Sequence, residues 1–191
     1  GSVMVKANIS LSNRHVHLTE ETVTLLFGEA GLTIQRYLNG KSGRYACNET
    51  VTIAGPKGSI DHVRVLGPCK GYDQVELLAS DNYKLGVQAP LRMSKDLEEA
   101  AVVKIIGPRG SVELPVAIVA QRHIHMGPDI MEELGVHNGD AVDVKVDGPR
   151  GGMMSNVIIR KGKEGDCTMH IDQEEGNAFG IQKTAEGIIL T

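Results

Sequence analysis

The sequence predicts a mainly β fold made of two similar halves, each a small barrel with few helices. Glycine is abundant, with 23 residues, while aromatic residues are scarce, with no Trp, 2 Phe and 4 Tyr. This composition favours strands rich in Val and Ile that are joined by tight turns. Two repeated patterns support the prediction of two similar halves: a turn motif that occurs three times and a histidine motif that occurs twice. Several short strands with regular turns are typical of small barrels.

A turn signal of the form Gly-Pro-(Lys/Arg)-Gly interrupts three strand-like runs. The signals begin at Gly55, Gly107 and Gly148, and each follows a run rich in β-branched residues. Because Gly-Pro-x-Gly favours a chain reversal, we predict that each run is a β-hairpin. Leu-Gly-Val also precedes two of these hairpins, at 85–87 and at 134–136. The recurrence indicates an old duplication, with two pseudo-duplicated halves.

The motif Arg-His-x-His occurs at the end of two strand-like runs. Its copies are Arg14-His15-Val16-His17, after the run 8–12, and Arg122-His123-Ile124-His125, after the run 114–120. Side chains alternate on a strand, so both imidazoles of a pair share one face, as a zinc site requires. One pair alone could equally be hydrogen-bonded imidazoles of a half-buried strand, but two pairs in the same context favour metal binding. Arg14 and Arg122 alternate away from the imidazoles and either hold structure or bind phosphate.

A short helix is predicted directly after each histidine pair. Thr19 is a suitable N-cap for a helix over 20–27, and Gly28 would end that helix. Gly127 and Pro128 begin the second helix, which runs to residue 134 and ends at Gly135. Acidic residues early in both helices suit the positive end of the helix dipole.

Four further residues are candidates for the chemistry. His170 could complete a site of three histidines with one of the pairs, although a lone strand histidine is more often structural. Lys70 lies in a glycine-flanked turn and could present its ammonium group to an anion, and Glu76 could bind a metal. The alternative for this segment is an ordinary surface hairpin. Ser94 carries only a weak signal by itself.

Charge and cysteine content limit the partners and the location of the protein. The formal net charge is −4 and no long basic stretch occurs, which argues against nucleic acid. No apolar run is long enough for a membrane span. Cys47, Cys69 and Cys167 are odd in number and far apart, which predicts reduced thiols in a cytoplasmic protein. An alternative hypothesis is an enzyme with a nucleophilic cysteine, for which Cys69 beside Lys70 is the candidate.

A second class of function is a non-catalytic, cupin-like metal-binding or sensory β-barrel module. Glu21 follows the first histidine pair at a spacing that suits such a module, but the second pair has no matching glutamate. An amidohydrolase barrel also uses His-x-His, yet 191 residues are few for eight β–α repeats.

Four motifs give the chain a resemblance to a known family over residues 3–191. They are the segments 12–18, 74–76 and 120–126, and the His170 segment that ends in Asn177-Ala178. The chain resembles the PduL-type phosphate propanoyltransferases, the phosphotransacylases of bacterial microcompartments. The resemblance implies two linked β-barrels capped by short α-helices. It places the first barrel at about 14–120 and the second at about 3–13 plus 121–191, with an exchanged N-terminal strand.

The resemblance also implies a reaction and a set of site residues. The reaction converts short-chain acyl-CoA, such as propanoyl-CoA or acetyl-CoA, and phosphate to acyl phosphate and CoA. Two zinc ions are implied, one bound by His15, His17 and Glu76 and the other by His123, His125, His170 and water. Ser94 matches a serine near the phosphate, and Lys70 replaces a family arginine, which keeps the charge but loses the bidentate fork. A homodimer, a role in propanediol degradation and packaging with microcompartment shell or lumen proteins are implied as well.

Overall fold

The computed structural model describes residues 4–38 and 43–191, which form two compact units. Barrel A comprises residues 14–38 and 43–120, and barrel B comprises residues 4–13 and 121–191. The elements in chain order are β1 (Val5–Ser12), β2 (His15–His17), α1 (Glu20–Phe27), β3 (Ile34–Tyr37), β4 (Tyr45–Ala54), β5 (Ser59–Gly67), β6 (Gln74–Leu77), α2 (Asp81–Leu85), β7 (Leu91–Arg92), β8 (Ala101–Ile106), β9 (Ser111–Ala120), β10 (His123–Met126), α3 (Pro128–Leu134), β11 (Ala141–Val146), β12 (Gly152–Lys161), β13 (Cys167–Asp172), α4 (Gln173–Ala178) and β14 (Thr184–Leu190).

Each unit closes a ring of six strands within its described residues. In barrel A the order is β4–β5–β2–β6–β9–β8, and β8 pairs back to β4. In barrel B the order is β1–β13–β10–β12–β11–β14, and β14 pairs back to β1. Val and Ile side chains fill each interior, including Ile53 and Ile105 in barrel A and Ile124 and Ile159 in barrel B. The predicted fold class, two small β-barrels with short helices, is confirmed.

The strand before each histidine pair lies in the other barrel from the pair itself. β1 belongs to barrel B while the next strand, β2, belongs to barrel A, and β9 and β10 show the reverse arrangement. The strand-like runs therefore do not continue into the histidines, because residues 13–14 and 121–122 are not in strand conformation and separate the two strands in each case. Each half of the sequence thus gives its first strand to the barrel that the other half builds.

All three Gly-Pro-x-Gly signals form the predicted hairpins. They join β4 to β5, β8 to β9 and β11 to β12. In barrel A the turns also contact the ends of helices, since Lys57 N–H donates to Leu85 O at 3.0 Å and Arg109 N–H donates to Leu26 O at 2.9 Å. A Cβ atom on Gly107 would lie 2.6 Å from Leu26 O, so only glycine fits this close approach.

Local signals also set the two predicted helices. The Thr19 side chain accepts a hydrogen bond from Thr22 N–H at the start of α1, and Gly28 is the C-cap. α3 has Pro128 in its first turn and Gly135 as a left-handed C-cap. The short helices α2 and α4 were not anticipated, because five or six residues are too few to show a helical period. None of the helices in the described residues is long and apolar enough to cross a membrane.

Candidate metal centres

The two histidine pairs occupy equivalent positions in the two barrels. β2 is parallel to β5 and antiparallel to β6, and β10 is parallel to β12 and antiparallel to β13. On the antiparallel neighbour, Glu76 lies opposite His15 and His170 lies opposite His123. Because residues opposite each other in a ladder share one face, each pair acquires a third candidate ligand from the neighbouring strand. The duplication therefore extends to the donor sets, with a carboxylate in barrel A where barrel B has an imidazole.

In barrel B three imidazoles converge. His123, His125 and His170 place one ring nitrogen each within 4.8 Å of the others, and their ring centroids are 4.9–5.3 Å apart. Within residues 4–38 and 43–191, this is the one group of three His, Cys, Asp or Glu side chains that meets this distance. Three half-buried imidazoles are a donor set that zinc prefers, and they leave a fourth position open. The residues present therefore fit a zinc ion.

Neighbouring groups orient the imidazoles of barrel B. The Nδ1 atom of His123 lies 2.9 Å from Gln121 O, and because a carbonyl only accepts, Nδ1 carries the proton and Nε2 is left with a lone pair. The Nδ1 atom of His170 lies 3.2 Å from Ser10 Oγ on the exchanged strand β1. The carbonyl contact fixes the tautomer of His123, and both contacts restrain the orientation of the rings, as is usual for metal ligands.

In barrel A the donor set is present but less convergent. His15 Nε2 lies 2.7 Å from Glu76 Oε2, and the rings of His15 and His17 are 5.0 Å apart. Burial and then the neighbouring His15 lower the pKa of His17 to about 3, so this imidazole is neutral and can bind a metal. Its Nδ1 atom is buried and has no hydrogen-bond partner among the described residues. Two imidazoles, one of them with an orphaned buried nitrogen, and a carboxylate fit a metal ion.

Both arginines of the histidine motifs contact carboxylates. Arg14 Nε and Nη2 donate to the two oxygens of buried Asp81 at 2.8 and 3.0 Å, which is a bidentate pair. Arg122 Nη1 lies 3.4 Å from Glu175 Oε2. Asp81 and Glu175 lie in α2 and α4, the helices that follow the strands of the third candidate ligands. Of the two roles left open by the sequence, the contacts support the structural one.

We expect Arg14→Met to destabilise the protein by about 3 kcal/mol, because the carboxylate of Asp81 would remain buried without its bidentate partner. Urea unfolding monitored by circular dichroism measures the change. In the double variant Arg14→Met/Asp81→Asn, much of the loss should be recovered, because no unpaired charge is then buried. An unchanged unfolding midpoint together with a raised phosphate KM would instead assign Arg14 to phosphate binding.

The Lys70 segment is a connection and not the surface hairpin considered from the sequence. β5 and β6 both pair with β2, which lies between them, so residues 68–73 pass over the end of β2. Lys70 is half-buried, and its N–H donates to Leu18 O at 3.0 Å. Burial lowers the pKa of Lys70, and the positive charges of Arg44 and Lys95 lower it further. Lys70 therefore lies in a positive environment near His17.

Ser94 is positioned by a buried residue that the sequence analysis did not select. Gln74 is fully buried and lies opposite His17, and its Nε2 donates to Ser94 Oγ at 3.2 Å.

Three further residues near the first histidine pair have no signal in the sequence pattern, namely Arg44, Tyr72 and Lys95. Tyr72 lies 6.4 Å from the His17 ring, and Arg44 affects the pKa of His17. The triplet Gln74-Val75-Glu76 carried the signal for Gln74, while no local pattern marks Arg44 or Lys95.

The structure does not support the two alternative hypotheses, a nucleophilic cysteine and a cupin-like module. Cys69 is free, but burial and the nearby carboxylate of Glu20 raise the pKa of its thiol, which is the opposite of what a nucleophile needs. Glu21 is exposed on α1, whereas Glu76 is the carboxylate in contact with His15. The ligand set expected for a cupin-like module is therefore not formed around the first pair.

Comparison with known proteins identifies relatives over most of the chain. A family model described as phosphate propanoyltransferase matches residues 8–182. A phosphate propanoyltransferase from Rhodobacter capsulatus is 48% identical over 178 residues, which cover 93% of this chain and 83% of the relative. Proteins of the same name from Rhodopseudomonas palustris and Clostridioides difficile are 46% and 45% identical, over 91% and 92% of this chain and 77% and 84% of the relatives.

Proposed function

The chain belongs to the phosphate propanoyltransferase family and is an acyltransferase, and from this we propose that it converts short-chain acyl-CoA and phosphate to acyl phosphate and CoA with zinc bound at two donor sets. The substrates are propanoyl-CoA or acetyl-CoA. The two barrels are its two domains in this proposal. Family membership also excludes the non-catalytic module as the function of the whole chain.

The observation that carries the metal part of the proposal is the convergence of His123, His125 and His170 in barrel B. These three residues would hold one zinc ion, and His15, His17 and Glu76 would hold the other. Bound zinc would supply Lewis acidity toward the thioester carbonyl and positive charge near the departing thiolate. Three protein ligands leave room at the ion for a further ligand, as in catalytic zinc sites.

The reaction needs a positioned phosphate and no covalent nucleophile from the protein. A phosphate oxygen attacks the carbonyl carbon, a C–O bond forms, the C–S bond breaks and CoA leaves as a thiolate that takes up a proton. Lys70 would neutralise charge on the phosphate, and Ser94 would donate to it. Because the Ser94 hydroxyl already accepts a hydrogen bond from Gln74, its own proton is available for an acceptor such as phosphate.

Phosphate-dependent release of thiol tests the proposal. Purified protein with zinc should release CoA from propanoyl-CoA when phosphate is present and should release none above the blank when phosphate is omitted. Acetyl-CoA should serve as a second substrate. If the rate is the same with and without phosphate, the protein is not a phosphate acyltransferase. The homodimer and the microcompartment location stay predictions from the family resemblance, and size-exclusion chromatography with light scattering checks the first of them.

A further inference from the structure

Gln74 connects β6 to the loop that follows β7. Its Oε1 accepts the N–H of Lys95 at 2.8 Å while its Nε2 donates to Ser94 Oγ at 3.2 Å. The backbone N–H can only donate, so the orientation of the amide is settled by this contact. A fully buried carboxamide thus uses both of its ends to hold two consecutive loop residues next to the strand that carries Glu76.

Lys95 is held in a backbone conformation that lysine rarely adopts. Its φ is 76°, in the left-handed region that favours glycine. Strained backbone of this kind is kept where the surroundings impose it, and it is concentrated at functional sites. Here the hydrogen bond from Lys95 N–H to Gln74 stabilises the conformation, and the Lys95 ammonium group lies 5.8 Å from the centre of the Tyr72 ring. The side chain is therefore directed toward the segment that contains Lys70.

The surroundings of Lys95 are rich in positive charge. The positive charges of Arg44 and Lys95 act on Lys70 and lower its pKa, and the ammonium group of Lys95 lies over the ring of Tyr72, two residues along the chain from Lys70. In the described part of the chain, neither Lys70 nor Lys95 forms an ion pair with a carboxylate. The nearby carboxylate of Asp73 accepts hydrogen bonds from Thr19 N–H and the Thr22 hydroxyl, so it caps α1 and does not neutralise the lysines. Two lysines without an acidic partner in one positive cluster favour an anionic ligand.

We propose that Lys95 is a further substrate-binding residue, which binds a phosphate group together with Lys70, and that Gln74 is the positioning residue that holds it. This inference rests on the proposed function for the identity of the ligand. The shared chemistry is a phosphate group, and it comes either from inorganic phosphate or from the phosphates of CoA. Tyr72 supports the lysine through its ring face and leaves the ammonium protons available for the ligand.

The test uses Lys95→Gly, because glycine accepts the left-handed conformation and removes only the side chain. Initial rates are measured against phosphate at saturating propanoyl-CoA and against propanoyl-CoA at saturating phosphate. We expect one of the two KM values to rise about ten-fold or more, as for loss of a charge-assisted contact, with kcat changed much less and the melting temperature not lowered. A rise in the phosphate KM assigns inorganic phosphate, and a rise in the propanoyl-CoA KM assigns the phosphates of CoA.

Three further variants sharpen the interpretation. Glu99→Gly is the matched control, because Glu99 is exposed in the same loop and also has a positive φ of 58°; both KM values should stay at the wild-type level. Lys95→Arg should restore most of the affinity because it keeps the charge. Gln74→Met should raise the same KM as Lys95→Gly although Lys95 is still present. If both KM values of Lys95→Gly match the wild type, the proposal is wrong.

Equilibrium binding separates this inference from the proposed function. Calorimetry with inorganic phosphate alone and with CoA alone compares the wild-type protein with Lys95→Gly. If the wild type releases no CoA from propanoyl-CoA, the proposed function fails, yet weaker binding of either probe by Lys95→Gly would still support the assignment of Lys95. Equal binding of both probes by the two proteins would overturn the assignment whatever the enzyme activity is.

Discussion

His123→Ala/His125→Ala should release one zinc ion per chain and lower kcat/KM by more than about a hundred-fold, because even outer-sphere changes at metal sites cost ten- to a hundred-fold. Two of the three converging imidazoles of barrel B are lost in this variant, so His170 alone would remain. A single imidazole binds zinc too weakly to retain the ion during dialysis, and the chemistry that zinc supplies would be lost with the ion. Elemental analysis of dialysed protein and the phosphate-dependent thiol assay measure the two effects.

His137→Ala is the matched control for this variant. The His137 side chain is 87% exposed and lies in the connection between α3 and β11 of the same barrel, and it is not one of the three converging imidazoles. It should keep the metal content and the activity of the wild type. A double variant at His123 and His125 that loses zinc but keeps full activity would show that this metal is structural and plays no part in the reaction.

Lys70→Ala should lower kcat/KM for phosphate by about ten- to a hundred-fold, which corresponds to roughly 1.5–3 kcal/mol for a charge-assisted contact to a phosphate. The lysine lies half-buried among Arg44 and Lys95, and its loss removes the charge that we assign to phosphate binding. The metal content should stay unchanged because Lys70 has no role as a ligand. Steady-state kinetics against phosphate, with zinc analysis of the same samples, check both statements.

Lys70→Arg tests the position where the family resemblance implies an arginine. The guanidinium group keeps the positive charge and adds the bidentate fork, so this variant should keep its activity and could improve phosphate affinity. Wild-type kinetics in Lys70→Ala would show that Lys70 is only a loop residue. Other cations would then bind the phosphate, and Lys95 and Arg44 are the candidates because their charges act on Lys70.

Local sequence signals were sufficient for the elements that local chemistry determines. Thr19, Gly28 and Gly135 delimit α1 and α3 because capping depends on a few adjacent residues. The three Gly-Pro-x-Gly hairpins follow from turn chemistry in the same way. The repetition of these signals was enough to predict two β-rich halves.

Features that depend on long-range pairing could not be found in this way. The run from β1 to His17 looks continuous, and only the pairing of β1 with β13 and β14 places it in a different barrel from the histidines. Arg14 finds its partner Asp81 at a distance of 67 residues along the chain. No pattern around Arg14 distinguishes such a partner from a phosphate, so the sequence left both roles open.

The parts of the candidate site that the sequence does not reveal also depend on long-range contacts. The histidine motifs stand out because two His-x-His pairs are rare in a chain of this length. Glu76 stands out because it follows a segment with glycines on both sides of a lysine. Lys95 is an ordinary lysine in the sequence, and its importance depends on a left-handed backbone and on a buried amide from another strand. A left-handed backbone can be predicted from the sequence at a glycine but not at a lysine, and a hydrogen bond to a distant strand leaves no local pattern in the sequence.

The most direct test of the central claim is the identity of the product. Wild-type protein is incubated with propanoyl-CoA and inorganic phosphate, and the mixture is followed by phosphorus NMR while thiol release is measured in parallel. We predict that a new acyl phosphate signal grows in equal amount to the CoA released, and that addition of CoA drives it back toward phosphate and thioester. Release of CoA with no acyl phosphate signal, and with propanoate as the organic product, would contradict the account, because the chain would then be a thioester hydrolase.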